Sequence, residues 1–220
     1  MARDPGAFFN ISPLGVAVAR LLLVLVVAEV IYGSIAVIDF VTYSGADPQT
    51  FDPGSITEGY LTYSAVVGIG YALVYFATMI VAGIWIYRAA FNARAASPGQ
   101  DAVRPGWAVG WYFVPIMNLF KPYQEMKKVW SATFGDGQPR FFGWWWGAWI
   151  ATNILAQISV RIYQTGANVD SIALSAAVDR LNGPVGIAAA ILFRRVVREV
   201  TIGQHGWDAG AAAPVAKVFE

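Results

Sequence analysis

GYLTYSAVVGIGYALVYFATMIVAGIWIY, from Gly59 to Tyr87, runs for 29 residues without a charged side chain and ends on Trp85, Tyr87 and Arg88. A bilayer hydrocarbon core is crossed by roughly 20 apolar residues of helix, and aromatic and cationic side chains anchor helix ends at its boundary. The stretch therefore reads as a transmembrane helix. The rest of the chain follows from asking how many more such stretches accompany it.

Upstream, Leu21 to about Val41 is interrupted only by Glu29 until Asp39. It resembles a secretory leader but is too long for an ordinary leader core, and no small-residue cleavage site follows, so an uncleaved anchor is the better reading. Between the two stretches, Thr42 to Glu58 carries turn formers and three acids but no base, the composition of an exposed loop. Downstream, Phe141 to Val160 is uncharged and opens on Trp144, Trp145, Trp146 and Trp149. A fourth crossing is expected over 183–198, begun afresh after a break at Asn182-Gly183-Pro184, with Asp170 as N-cap of a separate preceding helix.

Pro105 to Phe120 is apolar for 16 residues but interrupted by Gly106, Gly110, Pro115 and Asn118. Sixteen helical residues reach only about 24 Å, short of a core of roughly 30 Å. A re-entrant or interfacial element is expected there, followed by a short amphipathic helix over Tyr123 to Thr133. The predicted fold class is thus an all-α membrane protein: four transmembrane helices (about 21–41, 59–87, 141–160 and 183–198), a Pro-broken element at 105–120 and short interfacial helices. It forms a single polytopic domain over 1–205, with a flexible cytoplasmic tail at 206–220.

Charge order sets the orientation. Under four crossings, 13 of the 15 Lys and Arg residues fall on one face, leaving Arg161 and Arg180 opposite. The excess of bases in cytoplasmic loops then places both termini in the cytoplasm of a bacterial inner membrane. Apolar runs of 20 residues or more also disfavour a β-barrel, whose strands alternate.

Composition narrows the chemistry. Hydrophobic residues make up 57% and charged residues 13%, too apolar for an ordinary soluble fold. Balanced charge argues against nucleic acid as partner. No cysteine and a single histidine, His205, leave no thiolate, haem or multi-histidine metal site. No catalytic residue, metal or cofactor is expected, and an enzyme is the least favoured reading.

Three groups of residues are candidates for function. Glu29 sits inside an apolar span, where an ionised carboxylate costs about 2.5–3.5 kcal/mol on insertion scales. It reads as a proton or cation site, or as a structural hydrogen-bonding group meeting Asn153 or Gln157. Arg88, Asn92, Arg94, Asn118, Lys121 and Tyr123 would surround the Pro-broken element as a pocket for an anionic headgroup, or merely cap helix ends and freed backbone. Gly143, Gly147 and Ala151 recur at the four-residue spacing that lets a neighbouring helix approach closely.

A family resemblance supports this reading. Trp107-Ala108-Val109-Gly110-Trp111, Phe113-Val114-Pro115-Ile116, Asn118-Leu119 and Pro122-Tyr123 look like the signature of the bacterial membrane family known as domain of unknown function 4328. Trp85, Tyr87-Arg88 and Asn92 before this block, and Glu125, Trp130-Ser131, Trp144-Trp145, Val196-Val197 and Thr201 to Gln204 after it, extend the resemblance over roughly Arg20 to His205. It implies a multi-pass bacterial membrane protein and no established activity. The expected function is association, as a subunit or scaffold, with membrane lipids and another membrane protein or a second copy as partners. The alternative is a small transporter, channel or anionic-lipid-binding protein using Glu29 and the Arg88/Asn92/Asn118 cluster.

Overall fold

A computed structural model describes residues 8–47, 49–50, 57–99, 102–135, 137–164 and 168–209; the end of the expected tail, 210–220, lies outside the described residues. Helices alone make up the regular structure among them: α1 (Ser12–Tyr43), α2 (Glu58–Ala96), α3 (Pro105–Gly110), α4 (Lys121–Phe134), α5 (Arg140–Gln164) and α6 (Val169–Gly203), with short 3-10 turns at Trp111–Phe113, Met117–Leu119 and Trp207–Ala209. The 32 and 39 residues of α1 and α2 extend about 48 and 58 Å at 1.5 Å per residue. Both are long and apolar enough to cross a membrane, and only 11% of each apolar window is buried. A core helix of a soluble protein would bury that window.

The contacts divide the chain into two compact units. Unit 1 is Met1–Leu22, Ala77–Gly143 and Leu192–Glu220; unit 2 is Leu23–Phe76 and Trp144–Ile191. The single polytopic domain expected over 1–205 takes in parts of both units. Basic residues follow the division closely: 13 of 15 belong to unit 1, and only Arg161 and Arg180 to unit 2.

In unit 1 the core is conventional. Trp85, Trp207, Phe142, Val129, Val196, Val197 and Val200 are fully buried, and the Trp85 indole meets the Phe193 ring edge-on at 6.3 Å. Unit 2 instead leaves much of its apolar surface outside. Leu23, Val27, Val30, Val37, Val41, Leu61, Val66, Ile69, Leu73, Ile154, Ile158, Leu174 and Leu181 are exposed, while hydroxyls, carboxylates and amides meet between the helices. An apolar exterior of this extent is the reverse of what water selects.

Two expectations about element boundaries are corrected. The break at Asn182-Gly183-Pro184 does not occur, for Pro184 lies inside a continuous 35-residue α6. A proline removes one backbone donor and crowds the carbonyl four residues earlier; here its ring is exposed, and packing on both flanks carries the helix through. Nor is Asp170 the N-cap. Asn168 Oδ1 accepts the Ser171 N–H at 2.8 Å, and Asp170 sits in the first turn, where its charge still complements the helix dipole.

The segment 105–120 forms no continuous helix. α3 ends at Gly110, and after a 3-10 turn the Met117 N–H donates to Pro115 O at 2.7 Å. That bond closes a γ-turn around Ile116, whose φ of 67° and ψ of −49° are rare for a β-branched residue. The amphipathic helix expected at Tyr123 to Thr133 is α4, which buries Pro122, Glu125, Met126, Val129 and Trp130.

Candidate functional site

Unit 2 gathers its polar groups around Glu29. The carboxylate, half-buried on α1, accepts a hydrogen bond from Tyr71 on α2. It also lies against Gly186 of α6, where an added Cβ would stand 3.3 Å from Glu29 Oε1 and 3.5 Å from Thr152 Oγ1. The absent side chain at Gly186 is what admits the carboxylate to this face. Thr152 on α5 in turn donates to Asn182 Oδ1 on α6 at 2.6 Å. All four long helices thus contribute to one polar centre.

The partners expected for Glu29 are replaced by their neighbours. Asn153 is exposed and donates to Trp149 O at 2.6 Å, and Gln157 is exposed as well. Each helical residue turns by about 100°, so the face of α5 that carries Thr152 is turned away from Asn153.

Further polar pairs continue through unit 2. Tyr60 donates to Asp39, Ser34 Oγ meets Tyr63 Oη at 2.5 Å, and Ser159 donates to Ser175 O at 3.4 Å. Aromatic rings flank Glu29: Tyr32 stacks on Tyr71 with centroids 4.7 Å apart, and Tyr71 stacks on Tyr75 at 6.1 Å. Arg180 has its guanidinium 4.2 Å above the Phe40 ring.

Unit 1 holds the cationic candidates, and the structure gives them separate tasks. Asn92 is fully buried. Its carbonyl accepts the Phe9 N–H at 2.8 Å, and its amide donates to Phe9 O at 2.9 Å and to Gln204 Oε1 at 3.2 Å. The Gln204 amide donates onward to Ala89 O at 3.2 Å and Thr133 Oγ1 at 3.1 Å. This network ties the N-terminal segment, α2, α4 and the end of α6 together, and it satisfies both buried amides. Both Asn92 amide hydrogens and its carbonyl are therefore engaged within the protein.

Arg88 stands over the Phe9 ring at 5.2 Å, and exposed Arg94 donates to Val103 O at 3.4 Å. Lys121 Nζ lies 5.9 Å from the Trp111 ring, and Tyr123 donates to Gln138 Oε1 at 3.4 Å. Asn118 is half-buried within a 3-10 turn. Elsewhere in the unit, Lys127, Lys128, Gln124 and Ser131 line an open cleft with Ser97 and Val103, and Lys128 pairs with Glu125 at 2.9 Å.

The glycines expected to admit a neighbouring helix meet no close approach from the described residues of this chain. A Cβ at Gly143 or Gly147 would meet nothing within 4 Å, and neighbouring Trp144 is 72% exposed; Ala151 is half-buried. Close approach occurs instead at Gly15, against Thr201, and at Gly203, where a Cβ would fall 2.7 Å from Phe134 Cζ. The sequence carried no signal for these pairs, because each joins residues far apart in the chain. Tyr71, Thr152 and Gly186 were missed for the same reason, although Tyr71 stands out as a phenol inside the uncharged run.

Comparison with known proteins adds one match. The family model described as Domain of unknown function (DUF4328) matches residues 55–202, a stretch that takes in the 105–120 turn, α4 and Asn92, while Phe9 and Gln204 lie outside it. No curated protein and no solved structure matches the chain.

Proposed function

Because this chain belongs to the DUF4328 family, we propose that it is a multi-pass protein of the bacterial cytoplasmic membrane that works by association, as a subunit or scaffold, and not by catalysis. In this reading α1, α2, α5 and α6 cross the bilayer and both termini are cytoplasmic. The apolar exterior of unit 2 supports it, because lipid tails accept that surface and helix-to-helix hydrogen bonds satisfy the polar groups between the helices. So does the gathering of bases in unit 1.

The observation that carries the association role is the empty face at Gly143 and Gly147. Small residues in lipid let backbones approach, and among the described residues nothing fills the space at either glycine. In mild detergent the particle is expected to exceed monomer mass, and Gly147→Leu to return it to a monomer. A strictly monomeric wild-type particle with no copurifying partner would falsify the role.

The orientation has a separate test. With no native cysteine, single-cysteine labelling is unambiguous. A membrane-impermeant maleimide should modify Thr50→Cys on intact spheroplasts, and Ser97→Cys only after permeabilisation. The reverse pattern contradicts the topology.

A second reading, a small transporter, channel or lipid-binding protein, is favoured by the Glu29 centre. Its cationic half rests on Arg88, Arg94 and Lys121, since Asn92 is committed to the core. If Glu29→Gln and Arg88→Ala both leave ion flux and lipid association unchanged, this reading is finished.

A further inference from the structure

We propose that Glu29 and the stacked rings of Tyr32, Tyr71 and Tyr75 form a binding site for a lipophilic organic cation, in which the carboxylate takes the positive charge and the ring faces take its apolar shell. The inference rests on the second reading above and names its substrate class. It stands on charge, rings and room.

Charge comes first. Unit 2 contains only two bases, Arg161 and Arg180, and the Arg180 guanidinium is occupied over Phe40. Among the described residues, the groups that meet Glu29 or act on its charge are neutral or acidic: the Tyr71 hydroxyl on α2, Thr152 on α5, Gly186 on α6, and Asp179 on α6 within electrostatic reach. A carboxylate so placed in an apolar setting acquires a partner by binding a proton or a cation.

The rings select which cation. Tyr32, Tyr71 and Tyr75 are nearly parallel, with interplanar angles of 24° and 23° along the stack. Tyr32 and Tyr75 are each more than a third exposed, so ring surface is open to a ligand. Aromatic faces attract cations through their quadrupoles, most effectively where water is excluded. A small hydrated ion would instead need a cage of six to eight oxygens of the kind calcium takes. One carboxylate and a few hydroxyls fall short of that, whereas a cation wrapped in hydrocarbon requires no such cage.

Room is the third element. Gly186 carries no side chain beside the carboxylate: a Cβ there would stand 3.3 Å from Glu29 Oε1 and 3.5 Å from Thr152 Oγ1, so the α6 side of Glu29 is left uncovered.

The test uses the full chain in detergent with tetraphenylphosphonium as probe, followed by calorimetry and by a thermal-unfolding control on every variant. Saturable binding is expected, weakened about tenfold or more in Glu29→Gln and partly retained in Glu29→Asp. Tetraphenylborate, matched in size and opposite in charge, should not bind saturably.

Protons should compete with the probe as pH falls from 8 to 5. Competition should vanish in Glu29→Gln and persist in Asp179→Asn. Tyr71→Phe keeps the ring and should stay within a few-fold of wild type, whereas Tyr32→Leu, at an exposed ring, should lose affinity without loss of fold.

Equal binding by wild type and Glu29→Gln, equal binding of the borate, or no saturable binding overturns the proposal. Competition lost only in Asp179→Asn does so too, by moving the site away from Glu29. Such failures would leave a Glu29-dependent flux of protons or small ions standing, so the transporter reading and its substrate class fail separately.

Discussion

Gly15 and Gly147 are the same residue type in helices, and the structure gives them opposite meanings. A side chain at Gly15 would enter the van der Waals envelope of Thr201, whose hydroxyl accepts the Trp85 indole N–H at 3.0 Å. At Gly147 it would meet nothing. Alanine favours an isolated helix over glycine by about 1 kcal/mol at either site, but overpacking costs roughly 1–3 kcal/mol. Thermal unfolding in detergent should therefore show Gly15→Ala less stable than wild type and Gly147→Ala equal or slightly more stable. Shifts of the same sign would contradict the packing described.

The Asn92 amide invites a comparable test. Asn92→Ala strands the Phe9 backbone and one side of Gln204 in a buried setting, for an expected loss of about 2–3 kcal/mol. A double-mutant cycle with Gln204→Ala should recover a coupling on the order of 1 kcal/mol. Additive losses would mean that the two amides do not act as one network.

At the scale of the element, two prolines meet different outcomes. Pro184 reads locally as a helix start, yet α6 runs through it, because burial along 35 residues outweighs one missing bond. Pro184→Ala restores an N–H to the Arg180 carbonyl and should stabilise the chain by about 1–3 kcal/mol; no gain in unfolding temperature would show that the helix had already absorbed the defect. Pro115 does end regular structure, since the γ-turn after it forces Ile116 to a positive φ. Strain of this kind costs on the order of 1–3 kcal/mol. The Ile116 side chain is exposed and little packing is at stake, so Ile116→Gly is expected to raise stability by about 1 kcal/mol.

At the scale of the whole molecule, the inverted surface of unit 2 governs solubility. Removing detergent should drive the protein into aggregates, because exposed side chains such as Val27, Val41, Leu73 and Leu181 then face water together. Sedimentation after detergent removal checks this. A monodisperse particle would overturn the membrane reading along with the four proposed crossings.

Helical class, the two long apolar helices, the short broken segment at 105–120 and the family were legible without coordinates. Each depends on run length, spacing or a local motif, which are properties of a one-dimensional string. The carboxylate within the first apolar run and the basic asymmetry were legible in the same way, since a charge is conspicuous wherever its neighbours are apolar. Which groups meet was not. The partnership of Glu29 with Tyr71 and Gly186, the enclosure of Asn92 by Phe9 and Gln204, and the choice of Gly15 over Gly143 as a packed glycine all turn on helix rotation and on residues scores of positions apart. Only three-dimensional packing, in which a rotation of one residue moves a side chain by about 100°, could decide them.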